Sequence, residues 1–218
     1  MLTLVEKITF LLIFAGFIAY VVKRTYELTR FVRMGKPEPN NRTDHLPARI
    51  LDMLLDVLLQ RRVMRKPIVG ALHLLIVWGF FIFGVNTINH FAGAIFHGFH
   101  LFGNTPLADY YTAMADIFAV LIIIGVVGLA IRRYVFRPAS LTPRSVESAI
   151  VFLFIGGAMA AYLFANATEI ALESPEGSGY HLVAQPLSLL FAGLAPVPLK
   201  LIVHSAWWCD ALMHMALV

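Results

Sequence analysis

The chain has 218 residues, of which 59% are hydrophobic and 14% charged. A soluble domain carries roughly 45–50% apolar and about 25% charged residues, so an ordinary soluble core is excluded. The formal charge of +4 is no nucleic-acid signal, because membrane topology explains the basic residues better. Cys209 is the single cysteine. One thiol makes no internal disulfide, no iron–sulfur cluster and no Cys-rich zinc site, so metal chemistry would rest on histidines and carboxylates.

Five stretches are apolar and long enough to cross the roughly 30 Å of hydrocarbon in a bilayer. They lie at about residues 2–22, 67–90, 109–134, 146–169 and 199–218. They use most of the chain, so the expected fold is an all-α integral membrane protein. It would be a five-helix bundle forming one membrane domain over 1–218.

The first span lacks a basic segment before it, and its positive charges follow it. That pattern fits a retained anchor rather than a cleaved signal. Residues 23–35 are expected to extend this helix into water until Pro37 and Pro39 break it. Over residues 48–66, Ile50, Leu51, Leu54, Leu55, Leu58 and Leu59 share one face, with Asp52, Asp56 and Gln60 away from it. This is an amphipathic helix, lying in the interface or packed on a cytoplasmic partner.

Pro67 suits the first turn of the second span. A loop rich in Gly, His and Phe follows, at 91–108. A short loop with Pro138 and Pro143 joins spans three and four. The longer loop 171–198 has an apolar middle, 182–194, expected as a short interfacial or re-entrant helix. The fifth span is still apolar at Val218, so continuation on the cytoplasmic side is expected.

Charge sets the expected orientation. Of 17 Lys and Arg, all but Lys7 and Lys200 fall in 23–66 or 132–144. The positive-inside rule puts both segments in the cytoplasm, with the amino terminus outside and the carboxyl end inside.

Histidine within a span is costly and marks function by default. His73 and His90 sit near the two ends of span two, and His204 and His214 lie on span five, which runs the other way. His73 precedes His90 by 17 residues, a rise of about 25 Å, and His214 follows His204 by 10, about 15 Å. Level matching pairs His73 with His214 and His90 with His204. Haem b takes two imidazoles on opposite faces of one ring, normally from facing helices. At the outer level His97, His100 and His181 compete with His90. Interhelical hydrogen bonding is the simpler explanation for any one histidine alone.

Asp210 lies one turn before His214, where it would orient that imidazole as an outer acceptor. Asp116, an acid within span three, suits a proton path. Arg62 and Arg65, with Arg61 and Lys66, lie at a depth suited to haem propionates. Gly79, Gly84, Gly125, Gly128, Gly156 and Gly157 would admit porphyrin faces, though close helix contact is the commoner reason for small residues in membranes. Trp207 and Trp208 belong to the haem surroundings or simply pack.

Five spans, an outside amino terminus and histidines on spans two and five resemble the haem b gamma subunit of respiratory nitrate reductase. The stretch QRRVMRKPIVGALHLLIVWGFFIFGVNTINH at 60–90 is closer to one branch of that superfamily. It resembles the membrane domain of heterodisulfide-reductase-like iron–sulfur oxidoreductases, including electron-transfer-flavoprotein:menaquinone oxidoreductases. HSAWWCDALMHM, at 204–215, fits the same branch.

The resemblance implies a cytochrome b of the prokaryotic cytoplasmic membrane. It would pass electrons between a cytoplasmic iron–sulfur module and menaquinone, with an electron-transfer flavoprotein as a further partner. It carries over His73 and one of His204 and His214. Two alternatives remain: a haem-free anchor of a redox complex, and a proton- or metal-coupled transporter using Asp116, Asp210 and the histidines. No internal repeat of the kind transporters show is evident.

Overall fold

A computed structural model describes residues 2–35, 44–96, 99–103, 105–141, 145–173 and 180–217. The expectations that rest on Pro37, Pro39, His97, Pro143, Arg144 and Val218 fall outside these residues. Among the described residues the structure is all helical, with no strand. It divides into two compact units, Met1–Arg62 and Val63–Leu217.

The first unit holds α1, Leu4–Arg33, and α2, Leu46–Leu58. A capping box starts α1. Thr3 Oγ1 accepts from the Glu6 N–H at 3.3 Å, and the Glu6 carboxylate accepts from the Thr3 N–H at 2.7 Å. Both satisfy N–H groups that a helix start leaves open. The helix runs to Arg33, well past the last apolar turn, as expected for 23–35. There Arg24 pairs with Glu27 at 2.9 Å, and Arg30 and Arg33 place positive charge at the carbonyl end.

The amphipathic helix is shorter than the expected 48–66, because α2 stops at Leu58. Gln60 turns the backbone left-handed, with φ at 50°. Arg61 then folds back onto Asp52 (3.6 Å) and Asp56 (3.2 Å), and Arg62 reaches Asp56 at 3.3 Å.

The second unit opens with a 3-10 turn, Val63–Arg65. Four long helices follow: α3 (Pro67–Ile95), α4 (Pro106–Ile131), α5 (Val146–Glu173) and α7 (Pro196–Ala216). A π turn, Arg132–Phe136, extends α4. Proline opens α3, α4 and α7, where its missing N–H costs nothing. The 182–194 loop holds a one-turn helix, α6 (Ala184–Ser188), and a 3-10 turn, Leu189–Phe191.

Helices α3, α4 and α5 pack in sequence, α7 lies along α5, and α7 meets α3 over a short stretch only. On α4, Ala115, Ala119, Ile122 and Val126 recur at helical spacing and form one buried stripe. Phe83 from α3 and Ala158, Met159, Tyr162 and Leu163 from α5 close over it. Glycine brings the backbones together. A Cβ on Gly125 would sit 2.8 Å from the Leu72 carbonyl, one on Gly128 would strike the Leu72 side chain, and one on Gly79 would overlap Ile122. Gly157 receives Met213, and Gly156 lies beside Val126. Five of the six glycines thus seat neighbouring helices, and Gly84 faces open space.

Four helices, Leu4–Arg33, Pro67–Ile95, Pro106–Phe136 and Val146–Leu172, are long and apolar enough to cross a membrane. The expected fifth span, α7, has 21 residues, about 31 Å at 1.5 Å per residue. It is not among the four, because Lys200, His204, Asp210 and His214 lower its mean hydropathy.

Candidate functional site

Where α3 approaches α7, polar side chains converge in an apolar bundle. His90 belongs to the last two turns of α3, and Trp207, Asp210 and His214 share one face of α7 at i, i+3 and i+7. The His90 ring stacks on the Trp207 indole, with centroids 4.5 Å apart and planes 16° apart. Its Nε2 lies 3.7 Å from Asp210 Oδ2 and makes no hydrogen bond. His214 Nδ1 is 2.9 Å from the Asp210 backbone carbonyl and 3.2 Å from Oδ1. The carbonyl takes the Nδ1 proton, so Oδ1 stays buried without a hydrogen bond. Asp210 is 3% exposed, which makes an unshared oxygen costly. Trp208 packs edge-on against Trp207 at 5.3 Å.

Rise alone would set His90 opposite His204. In the structure the side chains against His90 are those of Trp207 and Asp210, further along α7. The two helices meet only briefly, so equal steps along them do not keep residues level. His204 is half-buried. His73, near the start of α3, is half-buried too, and its Nδ1 is buried without a hydrogen bond. Arg65 is exposed, and Arg62 is committed to Asp56.

Asp116 occupies a second polar site. It is fully buried in α4, ten residues from the helix start. Its Oδ2 accepts from the backbone N–H groups of Val183 (2.8 Å) and Ala184 (2.9 Å), and its Oδ1 lies 3.4 Å from His181 Nδ1. The Tyr162 hydroxyl faces the same carboxylate. This clasp ties the start of α6 into the bundle. Neither residue's neighbours in sequence announce it, since the partners are 65 to 68 positions apart. The only signal is that each is a polar residue beside apolar runs.

Among the described residues, no three His, Cys, Asp or Glu side chains converge to hold a metal ion. A porphyrin iron asks for two imidazoles only. The unbonded nitrogens of His73 and His90 are of the right kind, and His214, held at Nδ1, presents Nε2.

No family model matches the chain, and no solved structure matches it. Among curated proteins it is similar to an EtfAB:quinone oxidoreductase of Syntrophomonas wolfei, 26% identical over 190 residues. The match takes in 81% of this chain and 25% of that protein. The chain therefore spans about a quarter of the length of the relative it matches.

Proposed function

We propose that this chain is the membrane cytochrome b part of a quinone-linked oxidoreductase. The 190-residue similarity to a quinone oxidoreductase carries this reading. It extends over four-fifths of the chain. In this reading α7 is a fifth span. The basic segments face the cytoplasm, and the membrane is the cytoplasmic membrane of a prokaryote.

Haem b would be held by histidines of α3 and α7, drawn from His73, His90, His204 and His214; the pairing His73–His214 expected from rise does not fit, because His214 shares Asp210 with His90, and His73 lies about 25 Å from His90 along α3. When bound, it supplies one-electron chemistry between quinone and a cytoplasmic iron–sulfur module. The buried, unbonded nitrogens of His73 and His90 support this assignment, because a buried imidazole nitrogen without a partner is unfavourable until something binds it. The chain's own residues do the rest. Asp210 fixes the His214 ring through its backbone carbonyl, Trp207 fixes the His90 ring by stacking, and the helix bundle excludes water.

A second reading has one specific observation behind it. His90 and His214 flank one carboxylate, which also suits a haem-free polar cluster that carries protons. A redox spectrum of purified chain, expressed with haem supplied, separates the two. A dithionite-reduced b-type band is expected, lost in part by His73→Ala and by His214→Ala. A spectrum without that band sinks the haem assignment.

A further inference from the structure

The His181–Asp116 pair has a chemistry that the haem reading leaves unused. Asp116 is a carboxylate whose Oδ2 is taken by two backbone N–H groups, so Oδ1 is left to His181. An ionised carboxylate only accepts, so the proton between them sits on His181 Nδ1. That fixes the tautomer and leaves Nε2 as an oriented acceptor. Holding an imidazole this way is how a buried acid prepares a histidine to take a proton.

The location limits what can supply that proton. Asp116 lies ten residues into α4, about 15 Å from its start, so the loop at 180–184 dips beside a membrane-spanning helix. His181 is 18% exposed there, and Asp116 is not exposed at all. The loop that carries it exposes apolar and aromatic residues. Leu182, Leu189 and Leu190 are exposed, and Tyr180 stacks on Tyr110 of α4 at 6.4 Å. A water-soluble acid has no reason to enter such a rim, whereas a lipid-soluble hydroxyl compound does. Among the described residues, the groups facing the pair are Tyr162 from α5 and the backbone of α6, and no Lys or Arg is among the contacts of Asp116. Phe83 packs edge-on against Tyr162 at 5.0 Å. His90 lies seven residues beyond Phe83, about 10 Å along α3, so the pair sits near the outer polar cluster.

We propose that His181 is the proton acceptor for a membrane hydroquinone, with Asp116 as its positioning residue; this rests on the quinone-linked reading above. Each hydroxyl O–H of the hydroquinone breaks in turn. The proton goes to His181 Nε2 and must pass on to solvent before the acceptor can take the second proton. The two electrons leave the ring singly for a one-electron acceptor, which haem b would supply if held by the α3 and α7 histidines, and quinone departs. Quinone reduction runs the same steps backwards.

The test uses the full chain in detergent, a short-tailed naphthohydroquinone as reductant, and the b-type band as readout. His181→Gln is expected to slow hydroquinone-driven reduction by about 10²-fold or more, the scale of a lost general base. Its dithionite-reduced spectrum should match the parent. The parent rate should rise with pH, as a base that must be unprotonated requires, and the variant should lose that rise. Asp116→Asn should shift the same profile rather than abolish it. An unchanged rate in His181→Gln overturns the proposal, and so does loss of a haem, which would make His181 a ligand. Should the parent show no haem at all, the haem assignment fails separately. An azido-naphthoquinone then still decides this site, because label mapped to 110–116 or 180–190 supports it and label only elsewhere overturns it.

Discussion

Two buried aspartates in one bundle solve the same problem differently. Asp116 is closed on every side, with two backbone N–H groups on one oxygen and His181 beside the other. Asp210 keeps an oxygen without a hydrogen bond, next to a histidine nitrogen in the same condition. Low dielectric makes a satisfied buried carboxylate a strong tie and an unsatisfied one a liability. The contrast separates a carboxylate whose partners are met within the fold from one whose buried groups are not.

The sharpest way to break this contrast is to remove each acid. Asp116→Ala strands two backbone donors and His181. Hydrogen bonds to charged groups contribute about 1.5–3 kcal/mol each, so a loss of at least about 3 kcal/mol is expected. Thermal unfolding in detergent measures it, and a change under about 1 kcal/mol would mean that the clasp is incidental. Asp210→Ala should leave thermal stability of the haem-free chain near the parent value. Its effect should appear instead in haem affinity, weakened about 10- to 100-fold when an outer-sphere partner is lost. Titration of the apo-protein with haem reads that change, and unaltered affinity would deny Asp210 a role.

Glycines refine the comparison at smaller scale. Gly125→Ala drives a methyl against the Leu72 carbonyl, which cannot swing aside, and overpacking of this kind costs about 1–3 kcal/mol. Gly84→Ala meets nothing within 4 Å and should stay within about 1 kcal/mol of the parent. Equal losses at both positions would refute the helix seam. The smallest effect belongs to Thr3→Ala, about 1 kcal/mol of capping, seen as faster amide exchange in the first turn of α1.

Much of the fold was legible because membrane spans obey a coarse rule. A run of apolar residues with proline at its head announced α3, and apolar runs alone gave α4 and α5. Helix ends were less legible. Ile95 lies past the last residue that looked necessary, and α2 ended early because Gln60 turned left-handed and Arg61 and Arg62 folded back on Asp52 and Asp56. The site was legible in kind but not in register. His90 and the 207–214 face stood out as polar groups in apolar helices. Which of them meet depends on how α3 and α7 cross, and rise along each helix carries no such information. The Asp116 clasp was least legible, since its partners are backbone N–H groups that no side-chain pattern encodes.

If His73 holds haem as proposed, the glycine seam between α3 and α4 has a consequence for its redox chemistry. Leu72, clamped by Gly125 and Gly128, is the residue next to His73. Two helices locked backbone to side chain behave as a splint, so a group bound at His73 would meet a wall that moves little when its charge changes. Small nuclear displacement means a small reorganisation barrier. Fast electron passage would then be a property of the glycines as much as of the histidines.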